Sequence, residues 1–395
     1  MRLYKEGVMI QDKSLQQKVE KLVHEKFEPS RKEKQDLVSK LQEYTKHKEK
    51  HIVFFGCGVQ GRVLYHMLSK QEIRPDYYCD NQKLLWGKEI TDQRICISPA
   101  QLKEFDDVIV LLTVGLGYAN IIYDQLKDAG IKQIIKFPLD SLHLYSTSIY
   151  DFGIDEIISN MNRLMELLSD EASREVAYTK LYVMLASLEE MNEFDYAGIY
   201  TEPQYYPDDI ICLGGNEVIV EGGSYIGDSL QYLIEEMHYD AFERYHCFEL
   251  DKNNYLQLNQ YVSTLPEHLQ AKVRTVNAGI GIKNEEIFYA SVGEGSNILE
   301  RTQNGDKALI VALDTELCDE KITFIKMDIE GSEIDALLGS ERIIREQSPK
   351  LAICVYHKPE HLWEVPFLIH KFNQEYKLFL RHHTLITTDT VCYAI

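Results

Sequence analysis

Residues 218–227, V-I-V-E-G-G-S-Y-I-G, constrain the fold of this 395-residue chain more than any other stretch. An apolar strand ends there at Glu221, and glycines then turn the chain directly into a helical pattern. A buried parallel strand, a glycine-rich turn and a helix N-terminus together form a corner at which α/β proteins bind nucleotides. The sequence therefore predicts an α/β fold built on a parallel sheet.

A second glycine-rich corner comes earlier, at residues 51–62, H-I-V-F-F-G-C-G-V-Q-G-R. Gly56, Gly58 and Gly61 match G-x-G-x-x-G, and Asp80 follows Gly61 by 80 − 61 = 19 residues. An acid at about that distance binds the ribose in dinucleotide folds, so these four residues form a candidate second nucleotide-type site. The unit has only about 90 residues, roughly half of a full dinucleotide domain, and no obvious group for hydride transfer follows it.

The spacing of the two corners predicts two α/β domains, since 221 − 56 = 165 residues is about the length of one domain. In the first unit, strands are expected at residues 52–55, 76–79, 107–113 and 133–137. In the second, they are expected at residues 217–221, 245–250, 273–277, 323–329 and 351–356. The predicted division is N-terminal helices at 1–50, a small Rossmann-like domain at 51–140, a helical connector at 141–199 and a larger domain at 200–395.

The last two strand-like runs, residues 376–381 and 390–395, are too close together for a helical crossover. A parallel sheet that ends in an antiparallel hairpin is typical of class I methyltransferases and not of dehydrogenases. The predicted fold class is thus two Rossmann-like three-layer α/β domains joined by helices. Near the N-terminus, apolar residues at helical spacing on both sides of Pro29 predict two amphipathic helices used for packing or dimerisation.

Charge and cysteine content narrow the possible partners. The net charge of −21 disfavours nucleic acid as a partner. The eight cysteines form no C-x-x-C pair, which is typical of free thiols in a reducing compartment, and we expect a cytoplasmic protein. The longest apolar stretch is too short to span a bilayer. No metal site is predicted, and a homo-oligomer is compatible with the sequence.

Two acidic residues at strand ends indicate the ligand of the second corner. Glu249, which ends the next strand, is placed to accept hydrogen bonds from two ribose hydroxyls. Glu221 would repel a phosphate but could bind an α-ammonium group, directly or through water. The corner also lacks a second close glycine pair for a pyrophosphate. Together these features favour S-adenosylmethionine over a dinucleotide, with a phosphate-binding strand and turn as the alternative.

The C-terminal half, from about residue 205, resembles the FkbM family of S-adenosylmethionine-dependent methyltransferases. The resemblance rests on four ordered blocks: I-V-E-G-G-S-Y-I-G-D-S, F-I-K-M-D-I-E-G-S-E, P-K-L-A-I-C-V-Y-H-K-P-E-H-L-W and the terminal L-R-H-H-T...V-C-Y-A-I. The family usually has Asp where this chain has Glu221. The resemblance implies methylation of a hydroxyl group, often on a sugar or a secondary metabolite.

The resemblance also implies roles for individual positions. The cofactor-binding candidates are Glu221, Gly222, Gly223, Ser224, Tyr225, Gly227, Asp228, Glu249, Asn277 and Ala278. The catalytic candidates are Asp328, Glu330 and His357. A neutral imidazole can remove the proton of an alcohol near pH 7, so His357 is the first candidate for the general base and Asp328 the second. For His357, an alternative is a purely structural loop histidine.

The leading hypothesis is an O-methyltransferase that acts on a carbohydrate or glycosylated metabolite, which could be nucleotide-linked. The N-terminal unit, whose C-D-N-x(5)-G at residues 79–87 resembles small Rossmann-type domains joined to sugar-modifying enzymes, would bind a nucleotide or nucleotide-sugar group or serve only in packing. The competing hypothesis is an NAD(P)- or nucleotide-sugar-dependent oxidoreductase or epimerase centred on Gly56–Gly61. A sensor or scaffold without activity is the third.

Overall fold

The structure, a computed structural model, describes residues 13–136, 148–292, 298–301 and 306–395. The predicted domain boundary at residue 140 lies outside these ranges. None of the helices within them is both long enough and apolar enough to cross a membrane.

The N-terminal unit is a six-stranded sheet with helices on both faces. Its strand order is β3-β4-β2-β1-β5-β6, parallel except for the β3–β4 pair. Its strands are β1 (Lys50–Phe55), β2 (Tyr77–Cys79), β3 (Glu89–Thr91), β4 (Arg94–Ile97), β5 (Asp107–Leu112) and β6 (Gln133–Lys136). Its helices are α2 (Val59–Ser69), α3 (Pro99–Leu102) and α4 (Leu116–Asp128). A separate apolar core covers each face of the sheet, as a three-layer fold requires.

The first helix, α1 (Lys13–Tyr44), is continuous, so the prediction of two helices was wrong. Pro29 lies inside it, and the buried Ser30 next to it donates a hydrogen bond to the carbonyl of Ala186 at 2.8 Å. Tertiary contacts of this kind offset the backbone hydrogen bond that a proline removes from a helix. The start of α1 packs on the C-terminal core and its end packs on the N-terminal sheet.

Helices connect the two sheets: α5 (Ile154–Leu167), α6 (Glu171–Leu185) and α7 (Leu188–Glu193). Helix α5 has apolar residues on one face, and that face packs into the core of the C-terminal unit. The connector region is therefore part of the larger core and not an extended linker.

The C-terminal unit contains a seven-stranded sheet of order β16-β17-β15-β14-β7-β8-β9. Its strands are β7 (Val218–Gly222), β8 (Arg244–Phe248), β9 (Val273–Val276), β14 (Phe324–Met327), β15 (Lys350–Cys354), β16 (Leu378–His382) and β17 (Thr390–Ala394). The first five are mutually parallel, whereas β17 is antiparallel to both β15 and β16. The predicted fold class, including the terminal antiparallel hairpin, is confirmed.

Helices cover both faces of this sheet. They are α8 (Asp228–Gln231), continued by a π-helical turn at Tyr232–Glu236, then α9 (Lys252–Thr264), α10 (Glu267–Gln270), α11 (Leu313–Glu316), α12 (Glu333–Leu338), α13 (Glu341–Gln347) and α14 (His361–Phe372). An additional small sheet, which the sequence did not predict, has the order β10-β13-β11-β12. It comprises β10 (Gly279–Ile280), β11 (Glu285–Val292), β12 (Ile298–Arg301) and β13 (Asp306–Val311).

Candidate active site

A cavity of about 510 Å³ opens at the carboxyl ends of the central strands of the C-terminal sheet. Ligands of open α/β sheets bind at this edge, where the chain leaves each strand for the following helix. Six predicted site residues line the cavity: Gly223, Tyr225, Asp228, Glu249, Asp328 and Glu330. The other predicted residues of the C-terminal site lie behind these, so they support the cavity wall instead of forming it.

The glycine-rich corner after β7 brings the backbone close to the cavity. Gly223 has φ of +74°, and a Cβ atom added to it would lie 1.8 Å from the carbonyl oxygen of Asp328. Gly227, with φ of +95°, starts α8 against Leu258 and Tyr261. A side chain fits at neither position, because the first has no space and both need left-handed backbone. Gly222 is likewise packed against Ile280.

Glu221 does not face the cavity, contrary to its predicted contact with the cofactor. Its carboxylate is fully buried and lies 2.9 Å from the ammonium group of Lys326. Tyr245 donates a second hydrogen bond to it at 2.9 Å. Lys326, which the sequence analysis did not single out, lines the cavity in its place and also donates to the carbonyl of Gly223. The position of Lys326 inside an apolar strand was a sequence signal for a buried ion pair, because a buried charge needs a partner.

Ser224 is also directed away from the cavity. It is buried, and its hydroxyl donates to the carbonyl of Glu221 at 3.2 Å. Its function in the corner is therefore to hold the turn.

Glu249 lines the cavity at the end of β8, as predicted. Its two oxygens accept hydrogen bonds from the backbone N–H groups of Tyr225 and Asp251, each at 2.8 Å. Burial raises the pKa of Glu249 to about 7, although these backbone hydrogen bonds oppose the shift. The carboxyl group is thus fixed in position and close to its titration point at neutral pH.

Asn277 and Ala278, which are among the predicted cofactor-binding residues, do not line the cavity. The amide of Asn277 donates to the carbonyls of Glu249 and Leu250 at 2.8 and 3.0 Å, and Ala278 is buried in the core. Asn277 therefore fixes the turn that carries Glu249. The cavity also has an apolar wall that was not predicted from the sequence, formed by Leu250, Ile280, Ile287, Tyr289 and Ile310. Most belong to the unpredicted small sheet, which explains the omission.

Asp328 follows β14 and is held by two tyrosine hydroxyls and a neighbouring imidazole. Its carboxylate accepts hydrogen bonds from Tyr205 at 2.8 Å and from Tyr356 at 3.0 Å, and it lies 3.2 Å from Nε2 of His357. Burial alone would raise the pKa of Asp328, but the hydrogen bond and charge of His357 hold it well below the usual range. A carboxylate that is so stabilised is a poor proton acceptor.

His357 is buried among carboxylates that favour its protonated form. Its Nδ1 lies 2.8 Å from Glu333, and its Nε2 lies 3.2 Å from Asp328 and 3.6 Å from Glu330. Burial would lower the pKa of His357, but the charge of Glu333 and the hydrogen bonds to Asp328 and Glu333 raise it well above 6.5. The predicted role as general base fits these surroundings poorly, because the carboxylates favour the imidazolium, which cannot accept a proton.

The cavity is strongly acidic. Of the described residues that line it, seven carry a carboxylate and one, Lys326, carries a positive charge. The seven are Asp228, Glu249, Asp251, Asp328, Glu330, Asp335 and Asp389. Within the same part of the chain, no group of three or more Asp, Glu, His or Cys residues is placed to hold a metal ion. The field inside the cavity therefore favours cationic and uncharged ligands.

The N-terminal corner has the predicted strand, glycine turn and helix. Gly56 has φ of +122°, and a Cβ atom on Gly61 would lie 2.3 Å from the carbonyl of Gly56, so both glycines serve close packing. Gly58 caps α2, and a Cβ atom added to it would meet no described heavy atom within 4 Å. Asp80 accepts hydrogen bonds from the N–H groups of Cys57 and Gln82. Its carboxylate thus stabilises the loop itself.

Comparison with known proteins agrees with this geometry. Residues 222–384 match the family model described as the methyltransferase FkbM domain. No curated protein matches the sequence. A crystal structure of methyltransferase FkbM from Methylobacillus flagellatus KT has a TM-score of 0.66 and 24% identity, covering 87% of this chain and 89% of that one. The likeness in fold therefore extends well beyond the matched domain.

More distant matches have lower TM-scores. The methyltransferase domain of bacterial CtHen1-CN has a TM-score of 0.28 and 10% identity, covering 45% of this chain and 89% of that one. Spermidine synthase from Thermotoga maritima has a TM-score of 0.25 and 13% identity, covering 45% of this chain and 52% of that one. Residues 222–384 are thus similar to the methyltransferase FkbM domain, and this match does not favour the oxidoreductase or epimerase hypothesis.

Proposed function

We propose that the protein is an S-adenosylmethionine-dependent O-methyltransferase that transfers a methyl group to a hydroxyl of a carbohydrate or glycosylated metabolite. The observation that carries the proposal is the position of Glu249, which lines the cavity of a methyltransferase domain at the end of the second strand. A carboxylate there can accept hydrogen bonds from both hydroxyls of a ribose. When bound, the cofactor supplies a methyl group that is activated by a positively charged sulfur.

The residues of the cavity fit this cofactor. Gly223 gives the close backbone approach that the amino-acid end of the ligand needs, and Asp228 places a carboxylate at the start of α8. Lys326 also lines the cavity, with its ammonium group paired to Glu221 and bonded to the carbonyl of Gly223. The apolar wall around Ile280 and Ile310 suits an adenine ring. The excess of carboxylates suits a ligand that carries a positive charge.

The charge of the cavity also bears on the acceptor. A phosphate group would have to approach several carboxylates with Lys326 as the one cation among the described lining residues, and that lysine is already paired with Glu221. Sugar phosphates and nucleotide sugars are therefore poorer candidates than neutral glycosides or amino sugars. Incubation of the protein with labelled S-adenosylmethionine and a panel of these acceptors tests the proposed function, which fails if none of them is methylated.

We further propose the four-part division of the chain at residues 50, 140 and 199, with an N-terminal unit that helps to recruit the acceptor. The separate apolar cores of the two sheets support it. We also propose a nucleotide-type ligand at Gly56, Gly58, Gly61 and Asp80, which would bind separately from the acceptor in the C-terminal cavity. The free state of all eight cysteines supports a cytoplasmic location.

Replacing Glu249 with Gln is expected to weaken the binding of S-adenosylhomocysteine at least tenfold, because one charged acceptor of the ribose hydroxyls is lost. The wild-type affinity should also depend on pH. Binding favours the ionised carboxylate, and the pKa of Glu249 is about 7, so affinity should rise about tenfold from pH 6 to pH 8. Calorimetry at both pH values measures both effects.

The exposed Glu175 on α6 gives a matched control, Glu175→Gln, which should leave the affinity and its pH dependence unchanged. An affinity of Glu249→Gln equal to that of the wild type would remove Glu249 from the binding site. Gly223→Ala is less informative, because its added Cβ would overlap the backbone of Asp328 and disturb the fold itself.

A further inference from the structure

Asp389 lies in the half of the cavity that is opposite to Glu249. The sheet order places β8, which precedes Glu249, two strands away from β14, which precedes Asp328. Adjacent strands are about 4.8 Å apart, so these two strand ends are separated by roughly 10 Å. Asp389 directly precedes β17, which pairs with β15 next to β14, and it lines the same cavity, so it belongs to the Asp328 half. Gln204 and Tyr356 also line the cavity, and the Asp328 half lies away from the proposed ribose contact at Glu249.

The other polar groups in this half are poor proton acceptors. Asp328 receives hydrogen bonds from two tyrosines and is stabilised as an anion by His357. His357 is buried and protonated. Glu330 lies 3.6 Å from the imidazolium, which stabilises its charge as well. None of the three fits the task of removing a proton from a hydroxyl group.

Asp389 differs from them in its surroundings. Its carboxylate receives hydrogen bonds from two neutral groups, the amide of Gln204 at 3.3 Å and the hydroxyl of Thr388 at 3.0 Å. Burial raises its pKa, the nearby charge of Asp328 raises it further, and His357 opposes the shift only in part. A carboxylate with a raised pKa is the better base. Its φ of +62° is left-handed, a conformation that Asp and Asn adopt more readily than most residues.

We propose that Asp389 is the general base that removes the proton of the acceptor hydroxyl, with Gln204 as the residue that positions its carboxylate. The inference rests on the proposed function. As the acceptor oxygen forms its bond to the methyl carbon, the carbon–sulfur bond breaks and its electron pair stays on sulfur, which loses its positive charge. The hydroxyl proton passes to Asp389, which becomes a neutral carboxylic acid and later releases the proton to solvent.

Asp389→Asn tests this role, because Asn tolerates the left-handed backbone and keeps one acceptor oxygen but is not a base. We expect methyl transfer to fall by about 10²-fold or more, with the affinity for S-adenosylhomocysteine changed less than twofold. Asp92→Asn is the matched control: Asp92 also has positive φ, +44°, but is exposed in the N-terminal unit. It should leave the transfer rate unchanged.

A second readout needs neither cofactor nor acceptor. The infrared difference between wild type and Asp389→Asn should contain a protonated carboxyl band that persists to higher pH than the band of an ordinary Asp, which loses its proton near pH 4. A band that disappears near pH 4, or a variant that transfers methyl groups within a few fold of the wild-type rate, overturns the assignment. Failure of wild-type protein to bind S-adenosylhomocysteine would instead overturn the proposed function, and the base with it.

Discussion

Replacing Lys326 with Met is expected to lower the free energy of unfolding by about 3–5 kcal/mol, the usual cost of removing one partner of a buried ion pair. Lys326 is 3% exposed and Glu221 is completely buried, with 2.9 Å between their charged groups. Burial would lower the pKa of Lys326, but the charge of Glu221 raises it, so the lysine keeps its proton. Without the lysine, the structure must keep an unpaired carboxylate in its core or protonate it.

Equilibrium unfolding in urea measures this effect. Trp363 lies in the core of the C-terminal unit and reports on it, provided that Trp86, the other tryptophan of the chain, is first replaced by Phe. Lys321→Met, on an exposed residue, is the control and should change the free energy by less than about 0.5 kcal/mol. The double variant Glu221→Gln/Lys326→Met should recover part of the loss. Equal stability of Lys326→Met and wild type would mean that the pair is not buried as described.

The fold was predictable because its signals are local. A buried parallel strand is a continuous apolar run, and a glycine turn after it is required wherever a side chain cannot fit, as at Gly223. The short connection between the last two strands excluded a helical crossover. The small sheet formed by β10–β13 was not predicted. Its first strand, β10, has only two residues, and that strand pairs with β13, which is distant in the sequence.

The site was predictable only where the backbone determines it. Gly223, Tyr225 and Glu249 lie on the cavity because the turns after β7 and β8 fix their positions. The orientation of Glu221 depends on Lys326, which is 105 residues away, and sequence spacing gives no information about that pairing. Asp389 resembles an ordinary turn residue in T-T-D-T. Its role becomes visible only when the hairpin places it beside Asp328.

The protonation of His357 is the clearest case of a property set by tertiary structure alone. Asp328, Glu330 and Glu333 follow β14, while His357 follows β15, and the parallel pairing of these strands brings the four groups together. Three carboxylates around one buried imidazole make the cation strongly favoured. A histidine that was expected to accept a proton thus serves to hold the acidic groups of the cavity in place.

Replacing His357 with Gln is therefore expected to cost about 3–5 kcal/mol of unfolding free energy near neutral pH, because buried carboxylates lose their cation. The pH dependence should change as well. The folded pKa of His357 is raised above its unfolded value of about 6.5. The stability that it contributes is thus fully present below pH 6.5 and is lost as the pH rises through the folded pKa.

The His357→Gln variant should not lose stability in this way as the pH rises. His268→Gln, on an exposed residue of α10, should behave as the wild type. At acidic pH, the free energy of unfolding should change in the opposite direction with pH. The pKa of Glu333 is held down by His357 and His361 against the effect of burial, so wild-type stability falls as the pH drops through that lowered value. Removing the imidazole makes Glu333 easier to protonate and reduces that dependence. Urea unfolding from about pH 2 to about pH 10 measures the acid and the alkaline limbs, and an unchanged alkaline limb in His357→Gln would contradict a raised pKa of His357.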